Sequence, residues 1–177
     1  MKSFLGYGAS TVMAVTAVGL LGQIAGFALV GLLIRKLGLR RFGVLTHLLF
    51  LGAIGLLPAT GPERSWSEPL LGALFFANGM ASAFLGCFGS TGMLALARPG
   101  NKVMAMAFVS TFQYFGTALG RLGATGLMAL GVLAERWQFS GRMFASFHTL
   151  FLLDFVLTLL GFAFLLLLPA QERRGDW

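Results

Sequence analysis

The chain has 177 residues, 57% hydrophobic and 11% charged, with a mean hydropathy of +0.84 and a formal net charge of +7. That leaves too little polar surface to cover a soluble globule of this size, so the chain belongs in a lipid bilayer. The basic residues fall in the gaps between apolar runs, a placement that sets topology and argues against nucleic acid as a partner.

A hydrocarbon core about 30 Å thick takes about 20 residues of helix. Against that length, the apolar runs predict five spans with cores at 11–33, 43–60, 70–96, 104–130 and 146–168. A membrane barrel would show segments of about ten residues alternating apolar and polar, and no such alternation is present. The fold class is therefore all-α, a five-span transmembrane helical bundle forming a single domain over residues 1–177.

The first span carries Thr16 and Gln23, seven residues apart, and a GxxxG pair, Gly22 and Gly26. Met-Lys-Ser ahead of it has the look of a signal peptide. The apolar run is too long for one, however, and four basic residues follow it, as in a retained span. Those residues, Arg35, Lys36, Arg40 and Arg41, lie in the stretch GLLIRKLGLRRFG before the second span.

The third span bears Asn78, Ser82 and Gly89 near one face, and Gly86, Gly89 and Gly92 at every third position. It also holds the lone Cys87, which provides neither a disulfide framework nor a Cys/His metal signature. The fourth span contains a second GxxxG, Gly116 and Gly120, and a polar series, Ser110, Gln113, Thr117, Arg121 and Thr125. Spacings of 3, 4, 4 and 4 hold that series within a sector of about 120°. The last span, bulky and aliphatic, reads as lipid-facing apart from Asp154. His47 and His148 fall close to opposite helix ends, where a histidine is ordinary, and neither is a functional candidate on this reading.

Counted by alternate connections, eight Lys and Arg lie on one side and four on the other, with Arg121 inside a span completing the 13. The positive-inside bias places the Arg35–Arg41 connection and the C-terminus in the cytoplasm and the N-terminus outside, in a plasma membrane, the inner one of a bacterium. The cytoplasmic cluster also attracts the anionic headgroups of that leaflet.

Small residues at helix contacts and polar residues within spans are where packing and function are expected. Gln23, Asn78, Gln113, Thr117 and Arg121 are candidates for the lining of a solute cavity, the alternative being polar contacts between tightly packed helices. Arg121 has three readings: an ion pair with Asp154, snorkelling to the outer interface, or contact with an anionic solute.

The residues Gly31, Lys36, Gly38, Arg40 and Arg41 resemble the loop signature of the major facilitator superfamily, with Arg35 where that family carries an Asp. The run LALARPGNKVMAMAFVSTFQYFGTALG is similar to the same family's link from the tenth to the eleventh helix. The resemblance spans Gly6 to Pro169 and implies helices eight to twelve of a twelve-helix secondary carrier. Such a carrier moves a small-molecule solute by rocking two halves about a midplane site, so the missing helices or a second chain are implied as partners beside the lipid. No enzyme activity, metal or cofactor is expected. The alternatives are a non-transporting scaffold, assembly factor or inactive truncated product and, remotely, an intramembrane hydrolase built on Ser90 and His148.

Overall fold

The computed structural model describes residues 7–60, 66–97, 100–130, 136–139 and 142–167. Five helices carry the fold: α1 (Ala9–Leu37), α2 (Leu39–Leu56), α3 (Ser67–Leu96), α4 (Lys102–Ala129) and α5 (Ser146–Leu167). Each is long and apolar enough to cross a membrane, and the chain is an integral membrane protein. With α1, α3 and α4 at 28 to 30 residues, these helices are about 42–45 Å long, so they tilt or run on into the headgroup layer.

The turn between α1 and α2 is a single residue. Gly38 has φ +78°, a conformation open to glycine alone, and its N–H donates to Ile34 O to close α1. The basic cluster is thereby divided between two helix ends. Arg35 and Lys36 occupy the last turn of α1, where cations complement the helix dipole. Arg40, in the first turn of α2, sends Nη2 to Leu166 O at 3.4 Å and satisfies one of the open carbonyls ending α5. That contact places the start of α2 and the end of α5 on the same side.

The second span departs from its predicted end. Regular helix stops at Leu56 and a 3₁₀ turn, Leu57–Ala59, follows, because Pro58 has no N–H to extend the α pattern. Thr60 closes this turn with both its amide and its hydroxyl on Leu57 O. Between α4 and α5 the sequence reading left an irregular connection. Two short antiparallel strands stand there, β1 (Arg136–Phe139) and β2 (Arg142–Ala145), with Arg136 paired to Ala145 and Phe139 to Arg142. Aromatic residues in both strand sequences favour this pairing. Every span is helical, so the all-α membrane class holds, and the hairpin is a short connection outside the spans.

Helix α3 is the hub. It packs most extensively on α1, then on α2, and only lightly on α4, while α5 packs on α2. The α1–α3 contact is a parallel crossing of backbones. A Cβ placed on Gly22 would overlap the carbonyl of Phe76, one on Gly26 would meet Ala83 Cβ at 2.8 Å, and one on Gly79 would overlap the carbonyl of Gly19. Glycine is required at these three positions because lipid provides no hydrophobic drive for association, so cohesion comes from close dispersion contact. Where α1 and α3 begin, the Tyr7 and Ser67 hydroxyls hydrogen-bond, and Thr11 Oγ1 donates to Glu68 Oε1 at 3.5 Å. Beneath them Tyr7, Val15, Leu57, Leu71 and Leu74 form a buried cluster. Between α2 and α3, the fully buried Phe42 meets Phe84 edge-on with ring centroids 5.1 Å apart.

Candidate functional site

Polar groups inside a span must be satisfied by their own helix, by a neighbour, by water or by a ligand. Most hydroxyls here take the first course. Thr16 donates to Val12 O, Thr46 to Phe42 O, Ser82 to Asn78 O, Ser90 to Gly86 O and Thr117 to Gln113 O, all four residues back on the same helix at 2.8 to 2.9 Å. These hydroxyls spend their O–H donors within their own helices.

The candidate residues fall into two groups. Gln23 and Asn78 lie at the α1–α3 crossing, where the Gln23 backbone N is 3.1 Å from the position of a Cβ on Gly79. Asn78 Oδ1 is buried there without a hydrogen-bond donor. The second group is on α4: Gln113, Thr117 and Arg121 are all exposed, and no residue of α4 is buried. Gln113 is the link back to the bundle, its Nε2 standing 3.9 Å from where a Cβ on Gly86 of α3 would sit. Asn78 and Gly86 are eight residues apart on α3, about 12 Å along its axis, so the two groups are separate.

The glycine patterns sort in the same way. Gly22 and Gly26 are at a contact, whereas Gly89, Gly116 and Gly120 have open space where a Cβ would be. Gly79, which belongs to no loud sequence pattern, is one of the closest points in the fold. The glycine run on α3 therefore leaves room beside α4 instead of clamping a neighbour.

Arg121 and Asp154 are not brought together. The chain packs α5 on α2 and gives α4 no extended contact with α5. Both charges are exposed, and no cation among the described residues stands beside Asp154. A charged side chain at the centre of a membrane helix costs about 3 kcal/mol even on the insertion scale, so each of these groups calls for water or a partner. Ser90 and His148 are also apart. Ser90 is near the C-terminal end of α3 and His148 near the N-terminal end of the parallel helix α5, a separation of about 30 Å along the bundle.

The sequence reading passed over His47. Its Nδ1–H donates to Gly43 O at 2.8 Å, and its ring lies 6.4 Å from that of Phe88 and 6.1 Å from that of Phe162. Together with Thr46, Phe50, Leu85, Thr158 and Gly161 it lines a cavity of about 100 Å³ between α2, α3 and α5. The available signal was its position, eight residues into α2, well inside the span and not at its end.

The chain matches no family model, no curated protein and no solved structure with which it was compared.

Proposed function

We propose that the chain is part of a secondary transporter of the major facilitator type, moving a small polar solute by alternating access along the polar face of α4. The observation that carries this reading is α4 itself. This span-length helix holds Ser110, Gln113, Thr117, Arg121 and Thr125 in one sector and buries none of its residues against its own chain. Lipid tails are a poor environment for that stripe, and an aqueous solute path satisfies it.

On this reading the protein resides in a plasma membrane, the inner one of a bacterium, with the N-terminus outside and the basic α1–α2 turn in the cytoplasm. Gln113 and Thr117 contact the solute, and Gly86 of α3 gives the path its width. Alternating access needs two moving bodies, so further helices complete the carrier. No nucleotide-binding loop is found in the sequence, in keeping with an ion- or solute-driven carrier. A non-transporting scaffold is the second reading, favoured by the α1–α3 crossing, whose backbone contact leaves no path on that side.

The test is uptake into proteoliposomes from a mixture of amino acids, sugars, nucleosides and carboxylates, with the lumen assayed by mass spectrometry. A transporter accumulates at least one class, and Gln113→Ala or Thr117→Val reduces that uptake. Lumens identical to those of protein-free liposomes would leave the scaffold reading standing.

A further inference from the structure

Arg121 and Asp154 are opposite charges on separate membrane helices, and both are exposed. Arg121 is eight residues before the end of α4 at Ala129, and Asp154 eight residues after the start of α5 at Ser146. Those two ends are joined through the β1–β2 hairpin on one side of the membrane, so both charges lie about 12 Å inside it, at matching depth. Within one chain they have no route to each other, because α5 is held on α2 by Phe155 against Gly55 and by Arg40 on Leu166 O.

We propose that the chain assembles with a second copy of itself through the open face of α4, and that Arg121 of each copy pairs with Asp154 of the other. A two-fold axis along the membrane normal keeps every residue at its own depth, so matched depth within one chain becomes contact between two. The closed dimer contains this pair twice. Both intramembrane charges are neutralised, and every other charge on the five helices lies in a first or last turn. The bare glycines beside the stripe, Gly116 and Gly120, let the partner's backbone come close. The proposal stands on the charges and the open face; the transport reading uses the same face of α4, and where both hold the solute path runs between the two copies.

The experiment measures dimerisation of the full chain in liposomes by energy transfer between donor- and acceptor-labelled copies as the protein-to-lipid ratio is varied. Arg121→Asp or Asp154→Arg alone raises the protein fraction needed for half-dimerisation by about 1,000-fold, because either change breaks both pairs of the two-fold dimer and each broken pair costs about 30-fold. The double variant, carrying both reversals, regains dimerisation. A second measurement covers variants that fail to fold. In a Cys87→Ala background, copies with Arg121→Cys and one tag are mixed with copies with Asp154→Cys and another tag, and oxidation gives a cross-linked species carrying both tags. The proposal is overturned by wild-type monomers at every ratio, by a double variant that stays monomeric while folded, or by absence of the two-tag species. Recovery of the wild type as a one-to-one complex with a different membrane protein would also overturn it, by assigning the face to that partner.

Discussion

Replacing Gly79 by alanine tests whether backbone contact between α1 and α3 holds the bundle together. The added Cβ would lie 2.9 Å from the Gly19 carbonyl carbon and 3.1 Å from the Gln23 nitrogen, with the Gly19 oxygen nearer still. Ordinary contact needs about 3.5 Å, so the helices must part by at least about 0.6 Å. A radial gap of that size forfeits about a quarter to a half of each contact, and a leucine-sized set of contacts is worth about 7 kcal/mol, so the expected loss is about 2–4 kcal/mol. Gly22→Ala is expected to behave alike, its Cβ meeting the Phe76 carbonyl carbon at 2.8 Å. Gly72→Ala is the control, on the same helix as Gly79 but with open space around it, and higher helix propensity makes it neutral or slightly stabilising. Reversible unfolding in mixed micelles titrated with dodecyl sulfate, followed by circular dichroism, gives all three values. If Gly79→Ala and Gly22→Ala fall within about 0.5 kcal/mol of Gly72→Ala, the argument from close backbone packing is refuted.

Other substitutions probe other contacts by the same unfolding titration. Phe42→Ala removes a fully buried ring from its edge-on contact with Phe84 and is expected to destabilise by about 3–5 kcal/mol. Gly38→Ala forces a side chain into a φ +78° turn, with an expected loss of about 1–3 kcal/mol and, by pulse proteolysis, more frequent opening of the α1–α2 connection. Tyr7→Phe deletes the hydroxyl paired with Ser67 at the start of α3 and should lower stability by about 1 kcal/mol, with an unchanged spectrum of the folded state.

The five spans were legible because apolar length is a direct measure of bilayer crossing, and polar residues within them are few. Helix ends were less so. Arg35 and Lys36 mark the edge of the apolar core, yet the helix runs on to Leu37 and stops only at Gly38, where the backbone conformation changes. Hydropathy locates the first boundary and not the second. Gly22 and Gly26 announced a close contact, but their partner could not be read from α1 alone, and Gly79 belongs to no GxxxG, only to a seven-residue spacing with Gly72 and Gly86. The Arg121–Asp154 pair was one of three readings of Arg121 and rested on Asp154 being the acidic residue within a span. The hairpin lets α5 leave α4 and pack on α2 instead, a choice that depends on the surfaces of three helices at once. His47 was set aside on its nearness to a predicted span boundary, and the earlier start of α2 at Leu39 moves it inside.

The most direct test of the account is water access along α4. In a Cys87→Ala background, single cysteines at Ser110, Gln113, Thr117 and Thr125 are compared with cysteines at Phe112 and Leu119 on the opposite face, using a charged, membrane-impermeant thiol reagent on intact proteoliposomes. Labelling of the first set, including the mid-span position Thr117, with protection of the second, is the predicted result. Protection of Gln113 and Thr117 equal to that of Phe112 and Leu119 would contradict it, because a stripe that meets no water lines no solute path.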